Sequence, residues 1–378
     1  MITREALDLR YLPFSGLRYS TEAFIDYCIP ESNPKYNYAL IGPGVAQNSG
    51  QPVGLREPHG FQVGAVSMPH GKINPPHMHF TCEVFICTKG DWRIQWGFNP
   101  EASAADIGAG DLVSVPTWIY RGFTNIGVDD GFMFAALGGD STGGILWGPT
   151  AIAAAQRNGV YLTEDFRMID TARGATLQPG TRLMQPMTPQ EIAALRVWPP
   201  EEMTRRVVRF KDLRWSKKGL LDSALPGCGA QLAGAVGLGM VQDRDVAAPV
   251  ANAHGVSIEW LRIPPGGRVS RHLLGEKQVI IAKSGSIALT IEAADGPAVY
   301  TLNGAAGGWD TFAVPADCWR TLANPGADEA LAILMTAGDQ RKRIRWDDAV
   351  IACAADHDLI IDADGFVAPR GFVIRAQG

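Results

Sequence analysis

The chain has 378 residues, of which 46% are hydrophobic and 19% charged, and a formal net charge of −5. That length favours two domains, the composition excludes a disordered chain, and an acidic balance without a basic face argues against nucleic-acid binding. The 43 glycines and 25 prolines exclude a helical bundle and suit many short strands joined by tight turns.

In chain order, the first segment, MITREALDLRYLPFSG, lacks the apolar stretch of a signal peptide, and no later segment has the length of a membrane span. Short apolar runs follow: GFQVGAVSM, EVFICTKGDWRIQWGF and DLVSVPTWIYRGFTN, bounded by Gly, Pro, Asn and Asp as antiparallel strands are. TAIAAAQRNG after Trp147 reads as a short helix stopped at Gly159. TPQEIAALR reads as a connector helix with Thr188 as N-cap and Glu191 completing a capping box. Strand runs then resume with VSIEWLRI, QVIIAKSGSIALTIE and DTFAVPADCWRTLAN. The basic cluster Arg341, Lys342, Arg343 and Arg345 reads as a solvated face. Six cysteines without a CxxC pair fit a reduced, cytoplasmic protein.

The chain repeats itself. FSGLRYS at Phe14–Ser20 returns as FKDLRWS at Phe210–Ser216. Gly60, Pro69, Gly71, His77 and Gly90 match Gly255, Pro264, Gly266, His272 and Gly285 at a shift of 195. Pro116, Arg121, Asn125, Gly139, Asp140 and Trp147 match Pro315, Arg320, Asn324, Gly338, Asp339 and Trp346 at a shift of 199. The change of offset means four extra residues in the second copy between Gly285 and Pro315. Two copies of one β domain follow, with expected bounds 1–170, a connector at 171–202, and 203–378.

Chemistry concentrates in the first copy. Gly71 is followed by KINPP, then His77, Met78 and His79, then FTC, Glu83, VFICTK and Gly90. This resembles the first signature of the cupin superfamily: Gly, five residues, His-x-His, three residues, Glu, six residues, Gly. The stretch Gly110, Pro116, Trp118, Arg121, Asn125 resembles the second signature, with Trp118 where a glycine is usual and Arg121 where the fourth metal-ligand histidine is usual. The resemblance covers both halves and implies an all-β protein of two tandem jelly-roll barrels, a bicupin, with a site inside the barrel mouth. Strand alternation puts His77 and His79 on one face and Met78 on the other. Two imidazoles and a carboxylate make a three-ligand metal set with open positions, suited to Fe(II) and also to Mn, Ni, Zn or Co. In the second copy only His272 survives; Leu274 and Gln278 replace the second histidine and the glutamate.

Arg121 has two readings. As a candidate catalytic residue it anchors a substrate anion; as a structural one it pairs with a nearby acid such as Glu83 or Asp111. Its recurrence as Arg320 in the copy without ligands supports the second. The aromatics Phe80, Phe85, Trp92, Trp96, Trp118 and Tyr120 divide between barrel core and pocket, and His59 and His70 are spare ligands or idle loop residues. The architecture is similar to gentisate and hydroxynaphthoate ring-cleaving bicupins, which implies a non-haem Fe(II) dioxygenase acting on a small, carboxylated, aromatic substrate. The alternatives are a metal-dependent isomerase or lyase of a keto acid or sugar-like substrate, and a non-catalytic ligand-binding bicupin. Oxalate decarboxylases are bicupins too, but they keep a four-ligand pattern in both halves. The resemblance also implies a homodimer or higher homo-oligomer, with a small-molecule substrate and neither nucleic acid nor membrane as partner.

Overall fold

In the computed structural model, residues 2–98, 103–251, 253–304 and 307–376 are described. The chain divides into two compact units, Arg18–Lys211 and Met1–Leu17 with Asp212–Gly378. Each is built on a pair of sheets, antiparallel except where Val53–Leu55 runs parallel to Tyr36–Ile41, whose alternating side chains meet in a shared core.

In the Arg18–Lys211 unit, one sheet runs Val207–Val208, Leu112–Val115, Glu83–Lys89, Gly131–Gly138, Phe61–Met68, Tyr36–Ile41 and Tyr19–Ser20 in spatial order. The other runs Ile145–Trp147, Ile73–His79, Arg121–Asn125, Trp92–Trp96 and Ala104–Ile107. The core between them holds Phe85, Trp92, Trp96, Phe123 and Met133. Gly122 permits a close strand approach beside the histidines: a Cβ there would lie 2.8 Å from the carbonyl oxygen of Asn74.

The second unit repeats the plan. Tyr11–Leu12, Thr311–Val314, Gln278–Ser284, Ala330–Ala337, Val256–Ile263 and Gln231–Val236 form one sheet. Gly296–Asn303, Ser286–Ala293, Arg320–Ala323, Arg268–Leu273 and Arg345–Trp346 form the other. The four extra residues fall in the stretch that carries the eight-residue-pair hairpin of Ser286–Ala293 with Gly296–Asn303.

The compact units differ from the sequence-based bounds in an instructive way. Tyr11–Leu12 precedes the first repeat copy yet pairs with Thr311 and Phe312, whereas Val207–Val208 precedes the second copy yet pairs with Leu112 and Val113. Each copy therefore lends its leading edge strand to the sheet of the other repeat. Residues 1–17 leave the expected 1–170 domain for this reason, and 203–211 leave the expected 203–378 domain. An edge strand offers unpaired N–H and C=O groups, and either leading segment can satisfy them.

The helices at Pro149–Arg157 and Pro189–Ala193 lie where the sequence places them. Gly159 sits at φ +75° just past the first, and the second carries the Thr188–Glu191 capping box. The helix Asp348–Asp356, capped by Asp347, has an alanine-rich signal that strand-seeking passes over. The basic cluster is not simply a solvated face: Lys342 is buried and donates to the carbonyls of Ala337 and Gly338, while Arg341 lies 3.8 Å from the Phe366 ring centre.

Candidate metal centre

His77 and His79 stand on strand Ile73–His79, paired on one side to Arg121 and on the other to Trp147 and Ile145. Glu83 opens the strand Glu83–Lys89 of the facing sheet, between Val115 and Leu137. The three side chains thus come from both sheets and meet inside the barrel. One ligand atom from each lies within 4.8 Å of the other two, and all three residues are buried. Ligand atoms sharing one ion at bonds of about 2.1 Å lie at most about 4.2 Å apart, so a small side-chain adjustment gathers the set. The donor chemistry, two imidazoles and one carboxylate, fits a divalent first-row ion.

Local contacts orient each donor. His77 Nδ1 lies 2.9 Å from the carbonyl oxygen of Pro75, which accepts when the ring proton is on Nδ1, the tautomer that leaves the Nε2 lone pair for an ion. The amide of Asn74 covers the same ring edge, with its Nδ2 3.0 Å from His77 Nδ1. Asn74 is held in turn by Lys35, which donates to Asn74 Oδ1 and, at 2.5 Å, to Asp26. Lys35 and Asp26 are both buried; burial lowers the amine and raises the carboxyl, and their mutual attraction opposes both shifts. The rings of His77 and His79 are 4.9 Å apart and nearly perpendicular, with Trp147 5.3 Å from His77.

Electrostatics suit a cation. Burial pushes His77 well below the usual imidazole range, with His79 and Arg121 adding to the shift, so the ring is a neutral donor. Burial alone would raise Glu83, but His79, 3.3 Å away, and then Arg121 and His77 outweigh it and bring the carboxyl down to about 2. His79 Nδ1 is buried without a hydrogen-bond partner among the described residues.

Arg121 is fully buried and spent on protein acceptors. It donates to the carbonyls of Pro116 at 2.7 Å and Ile119 at 3.2 and 3.3 Å, and to Glu83 at 3.4 Å. It does not line the cavity beside the histidines. These contacts favour the structural reading of Arg121 over the anion anchor, because a guanidinium engaged on one carboxylate and two carbonyls has little left for a ligand. Trp118, where the signature has glycine, keeps the left-handed backbone at φ +60°, so the turn survives the substitution.

The cavity has a volume of about 100 Å³ and is walled by Phe24, Tyr38, Phe85, Phe123, Leu137 and Trp147 as well as the three donors. No lysine or arginine is among its lining residues. Of the aromatics expected near the site, only Phe85 lines it: Trp92 and Trp96 are core, and Phe80 packs edge-on against a half-exposed Trp118. His59 and His70 lie outside the cluster, bonded to backbone at Glu57 and Gly127, and the six cysteines are unpaired with one another. Sequence reasoning missed Asn74 and Lys35; Asn74 sits three residues before His77, whereas Lys35 carries no local signal.

In the second unit His272 holds the place of His77, Leu274 is core, and the Gln278 amide donates to Thr336 Oγ1 at 2.9 Å and to the Met240 sulfur at 3.4 Å. A leucine and a committed amide supply no charged donor there.

Two tandem jelly-roll barrels, one with a buried His-His-Glu cluster, define the class: this is the two-domain cupin fold. Solved structures agree. The chain is similar to the oxalate decarboxylase of Lactobacillus farciminis in its formate complex, at 13% identity and a TM-score of 0.54 over 90% of this chain and 89% of that one. It is likewise similar to a variant of the Bacillus subtilis oxalate decarboxylase, at 12% identity and a TM-score of 0.54 over 93% and 81%. A further structure of the Bacillus subtilis enzyme, at 13% identity, TM-score 0.50 and 90% and 78% coverage, is described with Mn(II) centres. No family model and no curated protein matches the sequence.

Proposed function

We propose that the chain is a metal-dependent bicupin enzyme in which His77, His79 and Glu83 hold one divalent ion beneath a pocket for a small substrate with an apolar body. The observation that carries this reading is the convergence of three buried donors at the wall of an apolar cavity. The second barrel supports it, since the same fold there persists with Leu274 and Gln278 in place of two donors. Those donors are therefore not needed to build a barrel.

An open-sided divalent ion is a Lewis acid toward an oxygen donor and, as iron, supports oxygen-dependent redox chemistry. The protein's own contribution is orientation and exclusion of water. Pro75 and Asn74 hold the His77 ring, His79 and then Arg121 hold the Glu83 carboxylate ionised, and Phe24, Tyr38 and Phe123 keep the pocket apolar. With no cationic side chain in the lining, an anionic oxygen of the substrate must be neutralised at the ion itself. This reading revises the carboxylate-anchor expectation and favours a substrate with one metal-binding oxygen end and an apolar or aromatic remainder.

The first reading within this frame is an Fe(II) dioxygenase. The second is a metal-dependent lyase or isomerase, supported by the fold shared with oxalate decarboxylases, one of them described with Mn(II). Anaerobic reconstitution with Fe(II), followed by oxygen uptake with a panel of phenolic and keto acids, separates them. Substrate-dependent oxygen consumption supports the dioxygenase. Turnover without oxygen consumption, sustained by Mn(II), assigns the non-redox reaction.

A further inference from the structure

We propose that the second barrel holds a small monoanion, of the size of formate or a halide, on the Arg320 guanidinium beside His272. The side chain of Arg320 is 1% exposed, and none of Nε, Nη1 and Nη2 has a hydrogen-bond partner among the described residues. His272 Nε2 is buried and equally without a partner. Arg320 and His272 are direct register partners on neighbouring strands, so these four nitrogens belong to one locality inside the barrel.

The first barrel shows what a satisfied arginine looks like at this position. Arg121 has the same register, opposite His77, and spends its donors on Pro116, Ile119 and Glu83. The preceding turn is conformationally the same in both copies, with Trp118 at φ +60° and Asp317 at φ +56°. A turn of the same handedness therefore precedes Arg320, yet its guanidinium nitrogens have no partner among the described residues. The Glu83 counterpart is the neutral Gln278, whose amide is already committed to Thr336 and Met240. Cys318 and Glu276 act on Arg320 only through space, and no carboxylate among the described residues accepts from its guanidinium.

A buried guanidinium without an acceptor is among the costliest arrangements a protein interior can hold. Burial brings Arg320 down to about 10, which still leaves it cationic at neutral pH. An anion resolves the imbalance by accepting from the guanidinium fork. The size is limited by the neighbours: Ile291 pairs with Arg320 across the other strand, and the Trp346 ring lies 5.6 Å from His272. His272 Nδ1 faces the carbonyl of Ser270 at 2.8 Å, so Nε2 donates to an anion only when the ring takes a second proton, and the direct donor is the Arg320 fork. Burial and then Arg320 hold this imidazole down to about 3, so the ring is neutral, and an anion on the Arg320 fork offsets the second effect. The second barrel then keeps a fixed cation and its counter-ion where the first keeps a metal-ligand cluster.

Formate tests this on the whole protein. Thermal unfolding is followed against sodium formate, with sodium gluconate at matched ionic strength as the bulky control. The wild type shows a saturable rise of roughly 5–10 °C at about one hundred times Kd, and Arg320→Met shows none. Comparing the two proteins separates this site from any formate bound near His77, His79 and Glu83. Crystals of the wild type grown in sodium bromide give a second readout that does not depend on the variant folding. An anomalous peak within hydrogen-bond reach of the Arg320 guanidinium supports the site. An equal formate response in Arg320→Met overturns the proposal. So does a wild-type crystal with no such peak and Arg320 bonded to the carbonyls of Pro315 and Cys318.

Discussion

Arg121 donates through Nη1 to Glu83 Oε2 at 3.4 Å and through Nη2 to the carbonyl of Pro116 at 2.7 Å. One buried cation thereby ties a candidate metal ligand to the turn that leads into its own strand. Arg121→Met leaves the buried Glu83 carboxylate with His79 as its remaining charged-group partner, and breaking a buried pair from one side costs about 3–5 kcal/mol. Urea unfolding of the variant should show a loss of that size, together with weakened metal binding. Unchanged stability with a loss confined to acidic ligands would return Arg121 to the anchor role.

Asn74 and Lys35 fix the His77 ring without touching the candidate ion position. Removing such supporting contacts typically weakens metal affinity about 10–100-fold. Asn74→Ala should therefore lower affinity in competition with a chromophoric chelator by that factor while leaving the circular dichroism spectrum in place. Equal affinities for variant and wild type would remove Asn74 from the account.

Glu259 gives a pH signature in the second barrel. Burial raises its carboxyl from 4.5 to about 7, against the N–H groups of Met240 and Val241 and the charges of Lys342 and Arg341. An acid whose folded value is raised binds its proton more tightly in the folded state. Stability from this group is thus fully present below about pH 4.5 and declines as pH rises toward 7, by roughly 3 kcal/mol in total. Glu259→Gln keeps an acceptor for both N–H groups and should flatten that decline. Parallel stability-against-pH curves for the two proteins between pH 4.5 and 7 would contradict it.

Much of this was visible in the residues alone, for identifiable reasons. His77, Met78 and His79 carry strand alternation in three letters, and the repeat offsets announce two barrels before any contact is known. The Thr188–Glu191 box and Gly159 mark helix ends through local hydrogen bonding and backbone handedness, both short-range effects. What stayed hidden depends on distant partners. The direction of the Arg121 fork is set by carbonyls of a turn, the pairing of Lys35 with Asn74 spans 39 residues, and the strand exchange spans about three hundred residues for Tyr11–Leu12 and nearly one hundred for Val207–Val208. A β edge accepts any strand of suitable pattern, so composition does not say which copy fills it.

The central claim is one divalent ion held by His77, His79 and Glu83. Metal analysis of wild-type protein loaded anaerobically and freed of excess ion, beside His77→Ala treated the same way, tests it most directly. The account predicts close to one ion per chain in the wild type and a loss of at least tenfold in affinity for the variant. A wild type that retains no ion, or a variant that retains as much, would contradict it.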